Sequence, residues 1–444
     1  MTDNGNQPRP TRTLTVKNFS VIKEAKLEFG KITVLIGPQS SGKSLLCKLA
    51  YFFQKVVVEQ AEQSMREVRD YASFHAHVLS EFSPWFPAFG YEPNALITYE
   101  DGQYKLSLGR SHSVGAFEVE LGRRGAGGGS IGLELSKEIE QCYNRVFRSL
   151  EQEKNSSSVI DFNHYAQKIK DDLRELQSSE ADIYSYMTST RSFYVTAQKA
   201  ILATGQRSDP FTLRFAQDFS FDYQERVPKI GLESSLAKWI DEESNRILRG
   251  EVVKRGNSEI FLAVDGRELP LSYLSSGTQE LLPLVMCLRE FVALSCAVAK
   301  SLGLQQALHK RLFFVEEPEA NIFPSTQYEL VRIFTRMANE PILDASWLIT
   351  THSPYILTAF NDLIKAGQAA KARPEKTTEI EKIIPKQYWI NEGDFAAYAF
   401  DGKDGILHPI MDGETGLING DVLDDISENI SDEFGQLLEI QYGD

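Results

Sequence analysis

The 444-residue chain is sparing with cysteine: it has four, Cys47, Cys142, Cys287 and Cys296, and no two form a C-x-x-C pair. That spacing excludes a zinc ribbon, a dithiol redox couple and a metal-linked hook, so the four read as small buried hydrophobes. No run of apolar residues approaches the roughly 20 needed to cross a bilayer, and Met1 to Pro10 is polar without an apolar signal core. The expected address is the cytoplasm, with no membrane partner. Basic residues are in deficit too: 47 Lys and Arg face 62 Asp and Glu, a net charge of −15. Much of the excess lies at one end, where Asp401 to Asp444 holds twelve acids against Lys403 alone. The remainder is near neutral, so bulk charge gives no reason to expect direct nucleic-acid binding, although a local basic groove stays open. The acidic end is either a solvated surface or a docking site for a basic partner. Ile426, Ile430, Phe434 and Leu438 recur there at helical spacing and predict a packed terminal helix. Internal repeats are absent.

What is present is an ordinary 42% hydrophobic composition, enough at this length for a full core and an inserted domain. Leu14–Phe19 and Ala25–Phe29 alternate like an antiparallel pair, and Ile32–Ile36 is an unbroken apolar strand of the kind buried on both faces. A helix follows from Lys43. Two alternating runs about Asp101-Gly102 form one hairpin signal, and Glu259 to Leu271 about Asp265-Gly266 a second. Arg123 to Ser130 is glycine-rich punctuation, followed by amphipathic helix from Leu135 to Leu176 that breaks at Asn155–Ser158, a helical pair of modest length. Strand and helix then alternate: Leu312–Val315, a helix from Pro324, Trp347–Thr350, and a helix after Pro354. The expected organisation is a first lobe at 11–130, a largely helical insertion at 131–250, a second lobe at 251–370 and an acidic segment with strands and a terminal helix at 371–444.

Gly37-Pro38-Gln39-Ser40-Ser41-Gly42-Lys43-Ser44 matches the phosphate-binding loop G-x-x-x-x-G-K-S and sits between buried strand and helix, as that motif requires. The glycines let backbone N–H groups converge on phosphates, Lys43 neutralises β/γ oxygens, and the Ser44 hydroxyl suits Mg²⁺. Leu312-Phe-Phe-Val-Glu316-Glu317-Pro-Glu319 is an apolar strand ending in carboxylates. It is expected beside the first strand, with Glu316 on the hydrated metal and Glu317 polarising the attacking water. Leu274-Ser275-Ser276-Gly277-Thr278-Gln279-Glu280 precedes an apolar helix; it reads as a capping box with Ser276 as cap, and equally as an anion site at a helix N-terminus. Because the chain's own phosphate site is already supplied by the first loop, this second one is best used on the ATP of a neighbouring subunit. Trp347-Leu-Ile-Thr-Thr351-His352-Ser353-Pro354 is another buried strand, whose His352 suits a γ-phosphate or the attacking water. His75 and His77, spaced i and i+2, are poor metal-ligand spacing and read as a surface or core pair.

In this order the four motifs resemble the ABC-type ATPase head of the RecF/SMC group, most closely its OLD-like branch. The resemblance implies an α/β fold with a mixed antiparallel and parallel sheet on a RecA-like core, and ATP and Mg²⁺ as cofactors. It makes Lys43, Glu317 and His352 catalytic, Gly37, Gln39, Ser40, Ser41, Gly42, Lys43 and Ser44 nucleotide-binding, and Ser44 and Glu316 metal-binding. Ser275, Ser276, Gly277 and Gln279 clasp the partner's γ-phosphate in an ATP-sandwiched homodimer. Tyr184 to Phe193 resembles the strand-plus-arginine segment these proteins carry, in which Arg191 either senses nucleotide or packs. Two positions depart from the pattern: Glu316 replaces the aspartate of most ABC enzymes, though the OLD-like branch often has Glu, and Asn321 stands where many relatives have His. OLD-like nucleases add a Toprim domain of roughly 100 residues with a D-x-D pair. The stretch after His352 is too short for one and its Asp421-Val-Leu-Asp424-Asp425 offers no such pair, so if the machine destroys nucleic acid the nuclease is another polypeptide; a separate effector is expected, as in the Toprim-less ATPases of bacterial antiphage systems. The alternative is a RecF-like repair ATPase that binds DNA directly.

Overall fold

The computed structural model describes residues 12–86, 91–110, 118–119, 131–156, 160–177, 181–189, 191, 234–255, 258–307 and 310–419. In chain order the strands are β1 (Thr13–Phe19), β2 (Ile22–Glu28), β3 (Ile32–Ile36), β4 (Tyr91–Asp101), β5 (Tyr104–Arg110), β6 (Glu118–Val119), β7 (Ile131–Leu135), β8 (Ala181–Met187), β9 (Gly250–Arg255), β10 (Ser258–Ala263), β11 (Glu268–Pro270), β12 (Lys310–Glu316), β13 (Ala345–Thr351), β14 (Phe395–Phe400) and β15 (Leu407–Pro409). The helices are α1 (Lys43–Arg66), α2 (Tyr71–Trp85), α3 (Lys137–Ser156), α4 (Phe162–Arg174), α5 (Ser235–Leu248), α6 (Ser276–Leu302), α7 (Pro324–Asn339), α8 (Pro354–Ala372) and α9 (Thr377–Ile383).

Among the described residues the strands form three sheets: β2-β1-β4-β5-β7-β6, β11-β10-β9 and the central β15-β14-β3-β13-β12-β8. The first two are antiparallel throughout, whereas β14, β3, β13, β12 and β8 run parallel. Both expected hairpins form, with Asp101 opposite Tyr104 and Leu262 opposite Glu268. Gly102 and Gly266 take positive φ at the two turns, which is why glycine stands there.

All five residues of β3 are buried, because parallel neighbours flank it and helices cover both faces. Alternation divides the central strands between two cores. Val34, Phe313, Val315, Trp347 and Ile349 face one with α5, α6, α7 and α8. Leu35, Leu312, Phe314, Leu348 and Phe400 face the other, where α1 lies against the first sheet with α2, α3 and α4. Local signals fix the helix starts: Asp70, Asp161, Ser234 and Ser353 each accept a backbone N–H of the first turn they cap.

Four expectations need correction. The strand beside β3 is β13, and β12 lies one place further out; β13 follows β12 and inserts between it and the phosphate-loop strand. Residues 131–250 are not a separate helical insertion where described. β7 and β8 belong to the first and central sheets, and the apolar stripes of α3 (Ile139, Tyr143, Val146, Leu150) and α4 (Tyr165, Ala166, Ile169, Leu173) share the core of α1. The second lobe does not end at 370, since β14 pairs in parallel with β3. Finally, α6 is long and apolar enough by composition to span a bilayer, with a mean hydropathy of 1.9. It is a core helix all the same: it packs with α5 and β12, Glu280 and Glu290 are buried on it, and Arg289 pairs with Asp241. The expected terminal helix with Ile426, Ile430, Phe434 and Leu438 lies outside the described residues.

Trp347 is fully buried, stacked on Phe313 with ring centroids 4.5 Å apart and tilted against Phe334 at 4.5 Å. Trp347→Ala should cost about 3–5 kcal/mol, read as a lower urea midpoint; an unchanged midpoint would contradict this packing.

Candidate functional site

The parallel strands β3, β12 and β13 end on the same edge of the central sheet, at Ile36, Glu316 and Thr351, and each hands over to one of the polar motifs. After β3 the loop needs backbone conformations that ordinary residues avoid: Gly37, Ser40 and Gly42 have φ of 151°, 60° and 110°. A side chain on Gly37 would run into the carbonyl oxygen of Phe400 at the end of β14, so glycine is required for packing as well as for φ. Gly42 opens α1 and no side chain caps it among the described residues, which leaves first-turn N–H groups directed at the loop.

Lys43 is almost fully buried. Its Nζ donates to the carbonyls of Gly37 at 2.7 Å and Pro38 at 2.6 Å and lies 3.4 Å from His352 Nδ1. Burial lowers this ammonium to about 8, against the opposing pull of Glu317 and Glu319. His352 Nε2 lies 2.9 Å from Glu317 Oε1. The tautomer protonated on Nε2 satisfies both contacts, donating to Glu317 and accepting from Lys43. The expected catalytic residues Lys43, His352 and Glu317 therefore meet in one hydrogen-bonded chain.

Glu317 itself has φ of 43°, a left-handed conformation costing about 1–3 kcal/mol in a non-glycine residue. Its N–H donates to Thr350 O at 2.8 Å, which ties the turn after β12 to β13. Glu316 is buried. One carboxylate oxygen accepts from Ser189 N at 3.3 Å, while Oε1 has no partner among the described residues. The same holds for the hydroxyls of Ser41 and Thr350. Buried polar atoms left unmatched at the mouth of a phosphate loop fit a hydrated cation and a triphosphate. Ser44 is half-buried in the first turn of α1; its hydroxyl and the Glu316 carboxylate are the side chains that could hold such a cation.

The structure adds a residue to which sequence reasoning gave no role. Glu319 Oε1 accepts from Thr351 Oγ1 at 2.7 Å and His352 N at 2.6 Å, so it clamps the turn after β13. Burial raises its carboxyl above the usual range, opposed by those hydrogen bonds. The signal was visible as the third carboxylate of Glu316-Glu317-Pro318-Glu319, but nothing in the spacing said which turn it would reach. Ser353 reinforces the clamp: its hydroxyl meets Gln327 Oε1 at 2.5 Å.

At the other motif the cap is Ser275 and not Ser276. The Ser275 hydroxyl accepts from Thr278 N at 3.3 Å and contacts Thr278 Oγ1 at 2.8 Å, because α6 begins one residue earlier than the serine-to-glutamine spacing suggested. Gln279 donates to the carbonyls of Ser272 at 3.1 Å and Leu274 at 2.9 Å. Ser276 stays exposed at the first helical position. Gly277 packs on the turn after β12, where a side chain would strike the carbonyl oxygen of Asn321. Arg191 does not face the phosphate loop: it is buried behind the site and bonds to backbone carbonyls of Thr188, Glu280, Glu316 and Glu317. His75 is a core residue bonded to Leu133 O at 2.8 Å, and no metal-ligating cluster occurs among the described residues.

The family model for an AAA ATPase domain matches residues 132–357, half of the chain. The chain belongs to the AAA ATPase domain family. The matched stretch contains α6, Glu316, Glu317, Glu319 and His352, while the phosphate loop precedes it and is brought in by the pairing of β3 with β13. No curated protein matches the sequence. Among solved structures, an SMC head bound to the C-winged helix domain of ScpA aligns with a TM-score of 0.39 at 10% identity, over 90% of this chain and 96% of that one. The SMC head domain from Thermotoga maritima gives 0.33 at 10% identity, over 90% and 98%. The recombination mediator protein RecF of the RecFOR pathway gives 0.31 at 10%, over 90% and 98%. These likenesses are distant, and the family assignment rests on the sequence match.

Glu319→Ala removes two hydrogen bonds to a carboxylate, each about 1.5–3 kcal/mol. ATP turnover should fall roughly tenfold or more while ATP affinity changes little; undiminished turnover would deny Glu319 any part in holding His352.

Proposed function

We propose that this chain is an ATP-binding and ATP-hydrolysing ABC-type subunit that closes as a homodimer around ATP and acts as scaffold and sensor for a separate effector in bacterial antiphage defence. The observation that carries the nucleotide part is the contact chain from Lys43 through His352 to Glu317, drawn from three strands at one sheet edge. In this reading Lys43 neutralises phosphate oxygens. Glu317 orients the attacking water and accepts its proton, while His352 holds the Glu317 carboxylate in register with Lys43. Ser44 and Glu316 would hold Mg²⁺, which would supply positive charge to the phosphate oxygens.

The dimer part is supported by the start of α6. Ser275 is committed to the cap, so the exposed Ser276 hydroxyl and the neighbouring first-turn amides remain for a γ-phosphate presented by a second copy. The effector part draws on the order of the motifs, which resembles the ATPase subunit of the PARIS antiphage system. In this reading ATP closes the heads, the body holds an effector inactive, and a viral trigger releases it; a Toprim nuclease is one candidate effector. The setting of such a machine is the cytoplasm.

Lys43→Ala should abolish ATP binding, and retained affinity in a fluorescent-nucleotide titration would remove the phosphate-loop assignment. Glu317→Gln should bind ATP normally, turn it over about a hundredfold more slowly and accumulate dimers by light scattering; wild-type turnover would deny Glu317 its catalytic role. Ser276→Arg should spare ATP binding by the monomer but block ATP-dependent dimers. Co-purification with the product of an adjacent gene tests the effector, whereas ATP-dependent DNA binding with a steep salt slope would favour the RecF-like alternative.

A further inference from the structure

Arg191 is fully buried, and four hydrogen bonds run from its guanidinium to backbone carbonyl oxygens. Nε donates to Glu280 O at 3.1 Å, Nη1 to Thr188 O at 2.8 Å and Glu316 O at 2.5 Å, and Nη2 to Glu317 O at 2.9 Å. One planar fork thus ties the exit of β8, the N-terminal part of α6 and the turn after β12. Burying a guanidinium is costly unless charge compensates it. Glu280, whose carboxylate lies 4.0 Å away, and then Glu319, Glu316 and Glu317 supply that compensation.

Two features make the placement more than packing. Glu317 takes left-handed φ, as Asn321 does further along the same turn, and the two peptide units that flank it are both pinned, one by its N–H to Thr350 O and the other by its carbonyl to Arg191. The aim of its carboxylate at His352 is set by those two planes. In addition, α6 meets the same turn a second time, through the close approach of Gly277 to the Asn321 carbonyl. A displacement of the α6 N-terminus therefore cannot leave the Glu317 peptide where it is.

We propose that Arg191 is a positioning residue that couples the N-terminal turns of α6 to the aim of the Glu317 carboxylate, so that engagement of Ser276 and Gly277 by a second subunit's nucleotide sets the catalytic geometry of the first. This rests on the reading that the two residues face a partner's triphosphate. Lysine offers charge at one nitrogen and cannot span the four carbonyls.

The test uses the full chain and the variants R191K, S276R and their combination. R191K should bind ATP within about threefold of wild type and still form ATP-dependent dimers, with kcat reduced at least about thirtyfold and KM little changed. The double variant should be no slower than the slower single one, because both changes interrupt one path. Turnover of R191K within about threefold of wild type overturns the proposal, as do multiplicative losses in the double variant. If R191K does not reach the wild-type melting midpoint, R191A is assayed with and without millimolar methylguanidinium: recovery of turnover that ammonium does not give supports the proposal, and no recovery in a folded, ATP-binding R191A overturns it. Wild-type turnover that is independent of protein concentration and untouched by S276R would instead refute the dimer reading, whatever Arg191 does.

Discussion

The imidazole of His352 stands between a cation and an anion that belong to different parts of the chain, and the site depends on that bridge. Lys43 comes from the helix after β3, Glu317 from the turn after β12, and His352 from the end of β13. Because β13 lies between the other two strands, the residue that follows it is the natural link. Neutral imidazole can accept on one nitrogen and donate on the other, so it joins unlike groups without adding charge. A lysine or carboxylate in its place would satisfy one neighbour and repel the other.

Around that bridge the charge is crowded. Glu316, Glu317, Glu319 and the buried Glu280 surround Lys43 on one side and Arg191 on the other. A carboxylate cluster of this kind survives burial only where cations and hydrogen-bond donors are supplied with it. Lys43 provides one cation at the mouth, and Arg191 provides a second at the back, committed to carbonyls. Glu316 Oε1 and Glu319 Oε2 are left without a hydrogen-bond partner among the described residues, and a hydrated divalent cation is a ligand class whose charge would offset them.

Much of this was legible in the residues. Buried-strand composition located β3, β12 and β13, turn glycines located both hairpins, and the phosphate loop lay between strand and helix as its spacing demands. These are local signals, written within a dozen residues of the feature they specify. What the sequence did not convey is what depends on neighbours far along the chain. The insertion of β13 between β3 and β12, the union of α3 and α4 with the core of α1, and the reach of Glu319 to the His352 amide are such cases. The one local misreading, Ser276 for Ser275 as cap, came from two adjacent serines that satisfy the same pattern one residue apart; only the Thr278 N–H decides between them.

The pairing of β14 with β3 has a consequence for where this protein can be cut. Residues 395–400 complete the sheet on the far side of the phosphate-loop strand, and the Phe400 carbonyl forms the wall behind Gly37. A fragment trimmed to the stretch that defines the family, residues 132–357, would lose β3 together with β14 and leave the buried strand β13 along an open edge, an invitation to aggregation. The smallest unit that can fold around a nucleotide is thus larger than the segment by which its kinship is recognised.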